Sequence, residues 1–339
     1  MTPAVLTASA LGLARNESGR RFPHAEDAAA LEALRTEVVE TLTGDRWDRP
    51  WRVYELERMS SVEVEYLVER GLMTPAFAAA SGAGRGFAVY GEGEASLEIN
   101  GDDHLRLLGF RSGGQLSSLW SLLSRLDDRL EMVFSYAFDP RWGYLTARPR
   151  HAGTGMRAYA TLHLPALTLT GRLAGTALEI AGNGLALVPL WGGAGGMVQV
   201  SNLGGQGRSE NEILQQISDL SRGIVEKERS VRKMLARENP VQTRDQIGRA
   251  LGVGQHAWTM SFHEAVNLVS AAQVGIELGL AKVPGMEAQS AFGLMSRLQP
   301  AHIVVEYMDG KMGCMESPEI DERRAQVVRE IFAAAGVPA

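Results

Sequence analysis

The hydrophobic pattern changes period along the chain. After Phe22-Pro23, the residues Leu31, Leu34, Val38 and Leu42 recur every three or four positions, which predicts a helix stopped at Gly44. From about Gly86 to Phe110 the apolar runs shorten, with Gly, Asn and Asp between them. Phe87–Tyr90, Ala95–Ile99 and Leu105–Leu108 therefore predict strands. Leu116–Leu130 returns to helical spacing, and Leu185–Val188 and Met197–Val200 read as further strands. Beyond Val200 the strand signal fades. Ser209 with Glu212 forms a capping box ahead of Ile213, Ile217, Leu220, Ile224, Val231 and Leu235, one face of a long helix. Ser261 with Glu264 repeats that signature before Val266–Leu280, and a last helix is expected over Ile320–Phe332. Clustered strands with helices before and between them predict an α+β domain, here 1–207, followed by an all-helical domain, 208–339. The boundary falls somewhere in 205–240.

Composition narrows the function classes. A chain of 339 residues favours two domains. Lys+Arg is 34 against Asp+Glu 40, a net charge of −6, which argues against a nucleic-acid binder. No apolar run is long enough for a membrane span, and Met1–Arg15 lacks the basic start of a signal peptide. One cysteine, Cys314, excludes a disulfide scaffold and fits a cytoplasmic location. Glycine, at 38 residues, exceeds the usual ~7% and asks for a reason.

Two stretches carry candidate chemistry. Asn100-Gly-Asp-Asp-His104, just before Leu105-Arg106, sets two adjacent carboxylates beside a histidine and an arginine. It reads either as a site for a cation or metal or as a polar turn between hairpin strands. Gly153-Thr-Gly155 with Arg157 offers small residues for close backbone approach and a planar fork for phosphate. It reads equally as a loop feeding a helix over Met156–Leu169.

With Gly143-Tyr-Leu-Thr146, Gly153-Thr-Gly-Met-Arg157 and His163-Leu-Pro-Ala-Leu167, the chain resembles the ATP:guanidino phosphotransferases, on their bacterial protein arginine kinase branch. Other segments match in order: Leu13–Asn16 with Arg21-Phe-Pro23, Asn100–Arg106, Ser201-Asn202, Gly207–Glu210, Gly275–Gly279, Gln299–Ala301 and Arg323-Arg-Ala325. The resemblance implies a catalytic domain built on a mainly antiparallel sheet flanked by helices, then a helical domain like the family's phosphoarginine-binding one. It also implies Mg-ATP as phosphoryl donor.

Departures from the family pattern concentrate at charged positions. Ala10 and Gly12 stand where two phosphate-clamping arginines belong, and Gly71 where a histidine is associated with nucleotide binding. Arg106 and Arg157 persist as phosphate contacts, with Arg148 and Arg150 as further candidates and His151 beside them. The family's R-G-x-x-G-E loop would bring an arginine and a guanidinium-binding glutamate. Here Ile180–Gly207 holds no Asp, Glu, Lys or Arg, and Gly192-Gly-Ala-Gly-Gly196 reads as a shortened hairpin. Asp102 is the remnant catalytic carboxylate, shorter than the family's glutamate, and Arg148 replaces a cysteine near the guanidinium. In the phosphoarginine-pocket motif, Ile320 replaces the leading arginine and Gln273 another, leaving Asp321 and Arg324. The expectation is a pseudokinase with weak or absent ATP binding that acts through a protein partner: an active arginine kinase paralogue, its activator or Clp-type proteolytic machinery, in a homo- or heterodimer. The alternatives are a divergent active kinase and a nucleotide or (phospho)arginine binding module.

Overall fold

The computed structural model describes residues 5–45, 47–286, 291–310 and 317–337, so Cys314 lies outside the described residues. The strands are β1 (Leu6–Arg15), β2 (Trp51–Tyr54), β3 (Gly86–Tyr90), β4 (Ala95–Ile99), β5 (Leu105–Ser112), β6 (Phe138–Asp139), β7 (Gly143–Tyr144), β8 (Met156–His163), β9 (Leu185–Pro189) and β10 (Met197–Asn202). Eight of them form one sheet in the order β2-β3-β4-β5-β1-β8-β10-β9, while β6 and β7 pair separately. Every neighbouring pair in the large sheet is antiparallel.

The helices are α1 (Ala28–Thr43), α2 (Ser61–Glu69), α3 (Pro75–Ala79), α4 (Leu116–Glu131), α5 (Pro165–Leu169), α6 (Leu173–Ala181), α7 (Glu210–Glu238), α8 (Pro240–His256), α9 (Phe262–Glu277), α10 (Ala291–Ser296), α11 (Pro300–Tyr307) and α12 (Pro318–Phe332). Gly44 caps the end of α1, and Ser209 and Glu212 form the reciprocal capping box of α7. Ser261 accepts the Glu264 N–H at the start of α9.

The strand alternation sorts the two faces. Leu11, Leu13, Leu97, Leu107, Ala160 and Val200 point to one side, into a core closed by α1, α4 and α7. The buried face of α7, Ile213, Ile217, Ile224 and Val231, belongs to this cluster, so the long helix is part of the sheet layer. A second cluster joins α8 to α12 through residues such as Leu251, Val269, Val304 and Phe332. The Met156–Leu169 stretch does not form a helix over its first half. Met156–His163 is β8, held between β1 and β10, with Arg157, Tyr159 and Thr161 alternating against buried Ala158, Ala160 and Leu162. β1 also carries no strand signal in the sequence reading, because Ala8, Ala10, Gly12 and Ala14 on its second face blur the alternation. Among the described residues no helix is long and apolar enough to cross a membrane.

A charged joint ties α2 to the helices. The buried Glu69 carboxylate at the end of α2 accepts the N–H groups of Ala301 (2.9 Å) and His302 (2.8 Å), capping α11 from another element, and lies 2.7 Å from His302 Nδ1. Replacing Glu69 by alanine strips both helix N–H groups and His302 of their partner. The expected loss is about 2 kcal/mol, read as a lower urea midpoint at unchanged slope.

Candidate active site on the second face of the sheet

The face opposite the core carries Ala10 and Gly12 from β1, Arg106 and Phe110 from β5, and Arg157 and Tyr159 from β8, as the register requires. The β4–β5 connection is a tight polar turn. Asn100 sits at φ +53° and donates its N–H to the His104 carbonyl at 2.9 Å. Asp103 is buried and accepts from Asn16 Nδ2 (2.8 Å) and the Ala147 N–H (2.7 Å), and it faces Arg106 at 3.2 Å. His104 is fully buried, accepts the Glu17 N–H at 3.1 Å, and is held below the usual histidine range by burial. The segment is the polar turn between hairpin strands. Asp103 and His104 build the turn, and Asp102 is the carboxylate left facing the cleft.

Asp102 is not free. The Arg148 guanidinium pairs with it at 2.7 Å. Arg148, a candidate phosphate contact and the residue at the family's cysteine position, thus sets this chain's own guanidinium on the remnant carboxylate. Both partners are about half exposed, so the pair adds under about 1 kcal/mol to stability, and its consequence is local. Arg150 is exposed on the following turn, and Arg157 reaches Ser201 Oγ (3.3 Å) and the Leu203 carbonyl (3.4 Å). His151 sits among them with its pKa pushed down to about 4, first by burial and then by the charges of Arg157, Arg150, Arg106 and Arg148. Arg106 and Arg148 face Asp103 and Asp102, so the positive charge of this basin rests on Arg150 and Arg157.

The Gly153-Thr-Gly155 glycines serve the protein's own backbone. Gly153 (φ +104°) passes the Gly205 carbonyl so closely that a Cβ would lie 2.4 Å from it, and Gly155 (φ +65°) passes Ala14 likewise at 2.5 Å. Arg15, from the entry segment, is buried against Asp127 at 2.6 Å and donates to the Thr154 carbonyl at 2.9 Å.

At Gly71 (φ +70°) a Cβ would lie 3.2 Å from the Phe110 ring, so any side chain there strains the backbone and requires Phe110 to shift. Phe110 meets Phe292 of α10 at 5.4 Å, and Phe292 stacks on Trp191 at 5.4 Å. Ala10 lies between Phe110 and Tyr159, and a Cβ at Gly12 would stand 3.2 Å from Leu108. These aromatics escaped the sequence reading because no motif spans β5, a hairpin loop and α10.

The charge-free segment is the β9–β10 hairpin. Its tip turns onto the helices: the Gly195 N–H donates to Asn267 Oδ1 at 2.7 Å, and Ser270 Oγ donates to the Gly195 carbonyl at 2.9 Å. In α12, Arg324 is buried and donates to the Leu298 (2.7 Å) and Met260 (2.9 Å) carbonyls, with Asp321 as its acidic partner. It anchors the helix, and Ile320 is buried in the same core.

Comparisons with known proteins agree on ancestry. Residues 32–231 match the family described as ATP:guanido phosphotransferase, C-terminal catalytic domain, and residues 240–338 match the protein-arginine kinase McsB C-terminal domain. The chain is 32% identical over 329 residues to a protein-arginine kinase from Halothermothrix orenii, covering 96% of this chain and 92% of that one. It is 35% identical over 343 residues to another from Moorella thermoacetica, covering 97% and 94%. Among solved structures, a lombricine kinase superposes with a TM-score of 0.58 at 18% identity, covering 68% of this chain and 69% of that one. The duplicated taurocyamine kinase of Schistosoma mansoni gives 0.62 at 20% identity, over 68% of this chain and 34% of that one. Both show a shared fold.

Proposed function

The chain belongs to the ATP:guanido phosphotransferase family, alongside the protein-arginine kinases, and on that premise we propose that it is a pseudokinase: a cytoplasmic member that has lost phosphoryl transfer and acts by binding a protein partner. The Arg148–Asp102 ion pair carries the reading. Transfer to a guanidinium needs a carboxylate that orients the nucleophile and cations that neutralise the phosphates. Asp102 already holds a guanidinium from its own chain. Displacing Arg148 would leave its charge beside an incoming cation, and the β9–β10 hairpin brings no second carboxylate.

ATP with its Mg²⁺ would supply the phosphoryl group, and the residues facing it would be Arg106, Arg150, Arg157 and His151. That basin supports some affinity for phosphate. Against it stand the losses at Ala10 and Gly12, the missing loop arginine, and the aromatic packing over Gly71. Hydrogen bonds to charged groups contribute about 1.5–3 kcal/mol each, so the missing arginines remove several kcal/mol even when non-additive. The dissociation constant for Mg-ATP is therefore expected at about 1 mM or weaker by calorimetry. A micromolar constant would favour the divergent-kinase or nucleotide-binding reading and point to Arg148 and Arg150 as replacements.

The decisive test is incubation of the purified chain with Mg-ATP and either protein or free arginine, followed by phosphoarginine detection under non-acidic conditions. No product is expected. The partner would come from the surroundings of the active relatives: an arginine kinase paralogue, its activator or Clp-type machinery, as a homo- or heterodimer. Co-purification of one of these with the tagged chain at defined stoichiometry, measured by light scattering, tests that half of the proposal.

A further inference from the structure

A cavity of 610 Å³ opens where the sheet layer meets the helices. Neither the Asp102–Arg148 pair nor the α12 pair of Asp321 and Arg324 lines it, so it is separate from both sites that the sequence motifs mark. Two helix faces oppose each other across it. From α8 come Gln242 and Gln246, one turn apart on one face. From α9 come Ala271 and Val274, also neighbours on one face. Leu169 of α5 adds to the apolar side and is 72% exposed. The backbone of Gly195, at the tip of the β9–β10 hairpin, completes the wall. One side of the cavity is therefore carboxamide and the other hydrocarbon, at a joint between layers of the kind where ligand sites concentrate.

The polar groups of this cavity divide into committed and uncommitted ones. Among the described residues Arg232 is the one charged side chain that lines it, and its guanidinium is held by Glu228 at 2.7 Å, by Glu277 and by the His163 carbonyl at 2.8 Å. The hydroxyls are spent on backbone carbonyls: Thr168 on Leu164 (2.8 Å), Thr170 on Ala166 (2.8 Å), Thr243 on Asn239 (2.9 Å) and Ser270 on Gly195 (2.9 Å). Asn267 Oδ1 already accepts the Gly195 N–H. Gln242 and Gln246 are different. Both are exposed, and neither side chain has a partner among the described residues. Each carboxamide carries a donor and an acceptor side by side, the pattern that a second amide edge matches. An ion placed here would lose water and meet no free counter-charge.

We propose that this cavity binds an uncharged planar ring compound with a carboxamide or lactam edge, the edge on Gln242 and Gln246 and the ring against Ala271, Val274 and Leu169. The proposal does not rest on the loss of phosphoryl transfer, since no residue of that argument lines the cavity. A ligand held there touches α5 and the hairpin tip on one side and α8 and α9 on the other. It therefore bridges the same layers that Arg232 joins, and the urea midpoint of the chain rises with ligand concentration.

Benzamide, acetophenone and benzoate share a ring and differ at the head group: acetophenone lacks the N–H donor, and benzoate carries a charge. Calorimetry on the full chain at pH 7, with each probe up to about 20 mM, is expected to show saturable benzamide binding with a dissociation constant of about 1 mM or tighter. Acetophenone should bind about three- to tenfold more weakly and benzoate at least about tenfold more weakly. The side-chain ¹⁵N–¹H₂ signals of Gln242 and Gln246 should move along the same saturation curve as the benzamide heat. The double variant Gln242→Leu, Gln246→Leu keeps the side-chain bulk at two exposed helix positions that leucine suits, and circular dichroism checks its fold. In it benzamide and acetophenone should bind with equal affinity. Should that variant not fold, the titration of the two glutamine signals in the native chain decides. Absence of saturable benzamide binding, glutamine signals that stay in place at saturation, or a preference for benzamide over acetophenone that survives in the double variant would each overturn the proposal.

Discussion

Replacing Arg232 by alanine is expected to destabilise the protein by about 3–5 kcal/mol, because it leaves a buried carboxylate without its counter-charge. Arg232 and Glu228 are one turn apart on α7, 2.7 Å from each other, with side chains 2% and 0% exposed. Glu228 also accepts the N–H groups of Ala166 (3.0 Å) and Leu167 (2.9 Å), so it caps α5 from the neighbouring helix. Arg232 pairs with Glu277 on α9 and donates to the His163 carbonyl at 2.8 Å. His163 Nε2 lies 2.7 Å from Ser270 Oγ, which itself donates to the Gly195 carbonyl. That arrangement assigns the proton to Nε2 of a neutral ring and leaves Nδ1 to face Arg232. One arginine thus joins β8, α5, α7 and α9. The exposed Arg249–Asp245 pair on α8 is the internal control, and Arg249→Ala should change stability by no more than about 0.5 kcal/mol. Urea unfolding of both variants reads the difference. A loss in Arg232→Ala no larger than in Arg249→Ala would show that the buried network is not what holds the layers together.

The double variant Ala10→Arg, Gly12→Arg is expected to transfer no phosphate to arginine, even if it binds ATP better than the native chain. Rebuilding the clamp restores charge only on the phosphate side. Asp102 stays on Arg148, and no carboxylate replaces the missing loop glutamate. Positioning and electrostatic stabilisation account for most of the rate in this chemistry. With each missing group worth about 10²–10³-fold, the deficit against active relatives stands at about 10⁴-fold or more. The new side chains also meet resistance. The Gly12 site is closed to 3.2 Å by Leu108, and Ala10 is flanked by Phe110 and Tyr159. Phosphoarginine detection on the folded double variant, beside an active relative, reads the outcome. A rate near that of the relative would refute the pseudokinase reading of Asp102, Arg148 and the glycine hairpin.

Much of the architecture was legible wherever local periodicity and burial agree. The strands from Gly86 to Ser112 are short apolar runs set off by Gly, Asn and Asp turns, the helices at Leu116 and Ser209 carry strong apolar stripes, and Ser209 marks its helix start with a capping box, so their residues alone predict them. β1 and β8 were illegible for a physical reason. They lie at the centre of the sheet, and their second faces are built from small or mixed residues that look over a site instead of a core. α7 shows the same limit. Its stripe announces a helix but not which layer the stripe will meet.

For the site, the sequence by itself determined what was missing: the arginines replaced by Ala10 and Gly12, the shortened Asp102, and a hairpin without charge. Absence of a side chain is a local fact that no packing can reverse. Only the tertiary structure decided what the remaining groups do. Arg148 pairs with Asp102, Arg324 and Arg15 are buried struts, and Phe110 meets Phe292 across the second face of the sheet. A charged side chain takes its role from the counter-charges and acceptors within a few ångströms. Those neighbours come from segments tens to hundreds of residues away, brought together by the fold.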